Sequence, residues 1–194
     1  MLSKKEIVYR DILERWLEGH QTRFTQLELS KKFSISLSTV SNALSPLRAM
    51  GAIDVRARHF ELVDAKKTML YWATIRGLGK DTAYSTRYEA PPGEIERLMP
   101  AGVSFTAFSA YRFMYKDAPA DYSEVYAYAD TAALDEARRR FPPAAGPPNV
   151  FVLKADPFIR KGVVSAPQAF VDLWNLRTWY ARDFADALER RMFG

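Results

Sequence analysis

SKKFSISLSTVSNALSPLRAMGAI, residues Ser30 to Ile53, decides how the first third of the chain is read. Val40, Ala43, Leu44 and Leu47 recur at helical spacing and predict one buried stripe. Outside that stripe fall Ser38, Thr39, Ser41, Asn42, Ser45 and Arg48. Serine and asparagine each cost a helix roughly 0.5 kcal/mol relative to alanine. A face that meets only water is better filled by Glu, Lys or Gln. Short side chains that donate and accept hydrogen bonds let another surface approach closely. The helix is predicted from Leu37 to about Met50, capped by Ser36 and ended by Gly51. Pro46 lies inside it, removes the hydrogen bond to the Asn42 carbonyl, and predicts a bend or a shorter helix.

Upstream, Ser3-Lys4-Lys5-Glu6 has capping-box spacing. Tyr9, Ile12, Leu13, Trp16 and Leu17 follow at helical spacing, and Gly19 is the stop. A second box, Thr25-Gln26-Leu27-Glu28, predicts a short helix to about Phe33 that buries Leu27, Ser30 and Phe33. Ser34-Ile35-Ser36 reads as a tight turn. Beyond Gly51 the period changes to two, so Ile53-Asp54-Val55 and His59 to Val63 predict a hairpin with Arg56-Ala57-Arg58 at its tip.

Three helices and a hairpin in this order resemble the winged helix-turn-helix family of prokaryotic transcription regulators. The residues that carry the resemblance are Ser30, Ile35-Ser36, Ser38-Thr39-Val40-Ser41, Leu44, and Leu47 through Ile53. Where that family often has glycine in the turn, Ser34 stands here, and a Cβ makes a positive φ costly. The resemblance implies binding to double-stranded operator DNA. A major groove admits a helix and offers hydrogen bonds at base edges, which suits the serine-rich face. The candidate DNA contacts are the caps Thr25 and Ser36, the helix residues Ser38, Thr39, Ser41, Asn42, Ser45 and Arg48, and the hairpin residues Arg56, Arg58 and His59. The plainer alternative is a three-helix module that binds protein.

Composition bounds the rest. The chain has 194 residues, 48% hydrophobic and 26% charged, which predicts a packed globular protein of one large or two small domains. No stretch of apolar residues is long enough for a membrane span, and the N-terminus lacks the apolar core of a signal peptide. A soluble cytoplasmic protein is expected. With no cysteine, disulfides and thiolate metal sites are excluded. The net charge of +5 suits an anionic partner. Residues 1–66 hold 11 basic and 8 acidic residues, so the first third carries +3 of that excess.

A helix is predicted over Ala65 to about Ile75, capped by Asp64 and broken by Gly77-Leu78-Gly79. Pro91-Pro92-Gly93 precedes a short helix over Glu94 to Met99. Phe105 to Tyr115 is aromatic and fits a helix or a buried strand equally. Glu124 to Asp130 and Asn149 to Lys154 read as strands around a helix over Thr131 to Arg140, which suggests a parallel pair. Helices from Ser165 to about Trp174 and from Arg177 to Met192 complete the chain. The expected fold class is α+β: a winged helix over 1–64 and a mixed α/β domain over 65–194, with a small sheet and flanking helices.

This order resembles the AbiEi family, antitoxin-type regulators of type IV toxin–antitoxin systems. The residues behind it are Met69 to Ala73, Val125 to Asp130, Asn149 to Asp156, Val164 to Leu176, and Arg182 to Leu188. The likeness is diffuse between Asp81 and Tyr122. It implies a repressor that autoregulates its operon, with a C-terminal domain opposing a cognate nucleotidyltransferase-type toxin. Trp179 and Tyr180 are the candidate anchors for such a partner.

Catalytic signatures are missing. His20 and His59 are the only histidines and lie apart; no Gly-rich phosphate loop and no Asp-x-Asp pair occur. Glu124, Asp130, Lys154 and Asp156, at predicted strand ends, are the one set that could converge as a metal-dependent nuclease. They read more simply as turn formers and solvated charges. No catalytic, metal or cofactor site is therefore expected, and the protein is not expected to be an enzyme. Tyr111, Phe113, Tyr115, Tyr122, Tyr126 and Tyr128 read as core. Alternatively they line a ligand pocket or a partner groove, and a pocket would make the chain a stand-alone ligand-responsive regulator.

Overall fold

Ser3 opens the first helix, α1 (Lys4–Gly19), in the computed structural model, which describes residues 1–194. The capping box is complete: the Ser3 hydroxyl accepts from the Glu6 amide, and Glu6 Oε2 accepts from the Ser3 amide at 2.9 Å. Glu6 is buried, and its Oε1 accepts from Trp72 Nε1 at 3.4 Å and from Arg76 at 3.5 Å. One carboxylate thus caps α1 and ties down the end of α4 (Ala65–Ile75). A second buried carboxylate, Asp11, pairs with Arg15 on α1 and with Lys32 on α2 (Gln26–Phe33).

α3 (Leu37–Ala49) follows α2 after a turn in which Ser34 adopts φ 51°. It continues past Pro46, so the proline does not truncate it. Gly51, at φ 70°, ends it where a side chain would be strained. A three-stranded antiparallel sheet then closes this part of the chain: β1 (Arg23–Phe24), β2 (Ile53–Val55) and β3 (Phe60–Leu62), in the order β1-β3-β2. Phe24 and Phe60 stack across it at 5.6 Å. The core below is built from Val8, Tyr9, Ile12, Leu13, Leu29, Val40, Leu44, Leu47 and Trp72. On α2 the inward residues are Leu29 and the expected Phe33; the expected Ser30 is partly buried and the expected Leu27 is exposed.

The chain divides into two compact units, Leu2–Arg76 and Gly77–Gly194, the latter with Met1. The expected boundary after residue 64 therefore moves. α4 belongs to the first unit because its buried face, Met69, Trp72 and Ala73, packs on α1, with Tyr71 edge-on to Tyr9 at 5.9 Å.

The second unit is a five-stranded mixed sheet with helices on both faces. After a 3₁₀ turn (Leu78–Asp81) come β4 (Thr82–Thr86), α5 (Pro92–Leu98), β5 (Ser104–Thr106) and α6 (Ala107–Tyr115). They are followed by β6 (Val125–Ala129), α7 (Thr131–Arg140), β7 (Val150–Lys154), β8 (Gly162–Val163), α8 (Ala166–Trp174) and α9 (Ala181–Phe193). The strand order is β4-β7-β6-β5-β8. β6 and β7 form the expected parallel pair around α7, and β4 and β5 run antiparallel to their neighbours β7 and β6. The ambiguous stretch from Phe105 is both things in turn, a short strand and then a helix.

Alternation along β6 sorts the core. Val125, Ala127 and Ala129 join Val150, Val152, Ile95 and Phe141 in one apolar cluster. Tyr128, on the other face, donates to Asp172 on α8 at 2.8 Å, and Thr106 donates to the same oxygen at 2.7 Å. Phe108 packs there against Tyr122, Tyr180 and Phe184. Much of the aromatic surplus is core. No helix is long and apolar enough to cross a membrane.

Candidate nucleic-acid interface

α3 buries Val40, Ala43, Leu44 and Leu47 as its period predicts. The Tyr9 hydroxyl donates to the Ala43 carbonyl at 2.6 Å, which ties the inward face of α3 to α1. The opposite face is outward: Ser38, Ser41, Asn42, Ser45 and Arg48 are exposed and Thr39 is partly so. The turn before it is held twice by Ser30, whose hydroxyl donates to the Ile35 carbonyl at 2.6 Å and whose carbonyl accepts from the Ile35 amide at 3.1 Å. Ser34 meets the cost of its positive φ through that closed turn.

The start of α3 is a cluster of hydroxyls. Ser36 Oγ accepts from the Thr39 amide at 3.1 Å and lies 2.8 Å from both Ser38 Oγ and Thr39 Oγ1. No acidic residue stands in the first turn, so the positive end of the helix dipole is uncompensated and open to an anion. Leu37 is exposed in the same turn, as is Leu27 in the first turn of α2. Thr25 caps α2 through the Glu28 amide at 3.1 Å and also donates to the Glu28 carboxylate at 3.2 Å. Its hydroxyl is thus engaged locally.

The hairpin forms where the alternation places it. The Arg56 amide bonds the His59 carbonyl at 2.8 Å and closes the tip. Arg58 is exposed, and Arg56 pairs with Asp54 at 2.5 Å. A concavity of about 580 Å³ lies beside the tip, lined by Arg23, Arg56, Ala57, Arg58, His59 and Glu61. Glu61 is its only acid. Its Oε1 accepts from Arg23 Nε at 2.8 Å and sits 3.3 Å from His59 Nε2. The His59 hydrogen bond first, and Arg23 second, hold the Glu61 carboxyl below its ordinary range.

Arg23 was not legible as a member of this set. It lies on β1, 33 residues before Arg56, and reaches the hairpin only because β1 pairs with β3.

In the second unit the two candidate anchors part company. Trp179 is 78% exposed. Tyr180 is 9% exposed, and its hydroxyl donates to Glu124 and lies 3.2 Å from Ser123 Oγ. The expectation that both face a partner is corrected for Tyr180, whose ring packs on Phe108 at 5.2 Å. Of the strand-end charges, Asp130, Lys154 and Asp156 line one concavity of about 420 Å³, but Glu124 does not join them. Glu124 precedes β6 and Asp130 follows it, so the five-residue strand between them keeps them roughly 20 Å apart. Asp130 caps α7 through the Ala133 amide, and Asp156 caps a turn through the Phe158 amide. No group of three or more His, Asp or Glu side chains is close enough to share a metal ion.

Comparison of the chain with family models, with curated proteins and with solved structures gives no match.

Proposed function

We propose that the chain is a DNA-binding transcriptional regulator, a repressor of the AbiEi type, whose Leu2–Arg76 unit works as a winged helix-turn-helix. The observation that carries this reading is the outward face of α3. It is made of Ser38, Ser41, Asn42 and Ser45, residues that weaken a helix unless something close to them uses their hydrogen bonds. The three arginines around the hairpin concavity supply the phosphate contacts that such a docking needs. In this reading Asn42 reads a base edge, Ser36 and Ser38 meet a phosphate at the start of α3, and Arg23, Arg56 and Arg58 hold the backbone alongside. A titration of duplex DNA with the full chain at several salt concentrations tests it. Binding that weakens steeply with salt supports the proposal. A chain that binds no duplex at 50 mM salt overturns it.

The Gly77–Gly194 unit is proposed to act as the antitoxin part, opposing a nucleotidyltransferase-type toxin encoded beside it. Trp179, exposed over most of its surface, is the anchor. Co-expression with such a toxin should restore growth, and Trp179→Ala should abolish the rescue without unfolding the chain. Rescue that survives Trp179→Ala removes that residue from the contact.

A further inference from the structure

The second unit carries a cleft that the DNA-binding reading does not use. It has a volume of about 590 Å³, within the range of roughly 300–1,000 Å³ typical of small-molecule sites. It is lined from β4, β6 and β7 and by the 175–178 loop between α8 and α9. Tyr126 and Phe151 stand opposite each other in the β6–β7 register, and both line it. Their rings stack at 4.4 Å and 7°. Tyr126 is buried, while Phe151 is only half-buried, so Phe151 offers ring surface to a third ring. Leu78, Pro148 and Leu176 supply apolar walls.

Two side chains of opposite charge line the same cleft, Glu124 and Arg177. They do not pair with each other, and Arg177 is exposed with no ion pair in the chain. Glu124 Oε2 accepts the Tyr180 hydroxyl, which leaves Oε1 for a donor from outside. The Tyr126 phenol adds no charge: burial first, then Glu124 and Tyr180, push its pKa well above the usual tyrosine range.

The charge balance selects the ligand. An aromatic anion would satisfy Arg177 but face Glu124, and an aromatic cation would do the reverse. A neutral heterocycle would stack and leave both charges unused. We propose that this cleft binds a small aromatic zwitterion of the amino-acid class, its ring on Phe151, its ammonium at Glu124 Oε1 and its carboxylate on Arg177. The guanidinium fork suits that carboxylate in a bidentate pair. The site is independent of what α3 binds.

Calorimetric titration of the full chain with L-phenylalanine and L-tryptophan tests the proposal, with benzoate, phenethylamine and adenosine as comparison probes. The expected result is a dissociation constant below about 1 mM for an aromatic amino acid. It should be at least about tenfold tighter than for benzoate, phenethylamine or adenosine. Arg177→Met changes an exposed residue and should weaken binding about tenfold with melting temperature unchanged. Phe151→Leu keeps the apolar volume and should weaken binding while the chain stays folded. Absence of amino-acid binding at about 10 mM, equal binding of adenosine or benzoate, or unaltered affinity in Arg177→Met would each overturn it.

Discussion

The hydroxyl of Tyr9 on α1 donates to the carbonyl oxygen of Ala43 in the middle of α3, 2.6 Å away and out of contact with water. The bond sits on the side of α3 opposite the serine-rich face, so it sets how that face is presented. Burial, with Tyr71 and Glu6 adding to it, raises the Tyr9 pKa far above the physiological range and keeps the donor proton in place. Tyr9→Phe removes one buried hydrogen bond and should cost about 1 kcal/mol. Chemical denaturation of the variant measures it. An unchanged midpoint would mean that packing alone fixes α3.

Asn42 is exposed on α3 one turn after Ser38 and is the residue best suited to a paired contact with adenine. Asn42→Ala should reduce discrimination between preferred and unrelated duplexes by about 1–3 kcal/mol while raising helix propensity. Parallel anisotropy titrations on the two duplexes read the difference. Equal losses on both would assign Asn42 to the phosphates.

The hairpin groove predicts opposite effects from its cations and its acid. Replacing Arg23, Arg56 and Arg58 together by Ala should weaken binding to every duplex and lower the slope of log affinity against log salt by about 2–3. Glu61→Gln removes the only acid lining the concavity and frees Arg23, so it should tighten binding on the order of threefold. The pH sign follows from the lowered Glu61 pKa: its pairing with His59 and Arg23 is fully present above the ordinary value of 4.5 and is lost as pH falls through the lower folded value. A carboxyl NMR titration should place the Glu61 midpoint below 4.5. A midpoint at or above that value would remove the pairing from the account.

Asp172 is fully buried and accepts from Thr106 and Tyr128 on one oxygen. Asp172→Ala removes the acceptor of both hydrogen bonds and should destabilise the Gly77–Gly194 unit by about 3–5 kcal/mol, whereas Asp172→Asn keeps an acceptor and should cost less. Thermal unfolding of the two variants orders them. Equal loss would mean that the carboxylate's charge matters more than its acceptor geometry.

The caps explain why so much of the first unit was legible. Ser3 with Glu6, Thr25, Ser36 and Asp64 each sit where a helix starts, because a capping side chain acts within three residues of itself. β1 was not legible because a two-residue strand has no period, and its partner lies 36 to 38 residues on. The exchange of Leu27 for Leu29 is a phase error that an eight-residue helix is too short to correct. β4 is an edge strand whose burial does not alternate. Trp179 and Tyr180 are adjacent in sequence and opposite in environment, a distinction set by the Phe108 cluster. The Phe151–Arg177 cleft is assembled from residues up to a hundred positions apart, and nothing local announces it.

The central claim is that the serine-rich face of α3 reads duplex DNA. Selection of bound sequences from a random duplex pool by the full chain, run beside the Asn42→Ala variant, tests it most directly. The account predicts enrichment of one motif by the native chain and a degenerate position in that motif for the variant. A folded native chain that enriches no sequence, or the same undegraded motif in both selections, would contradict it.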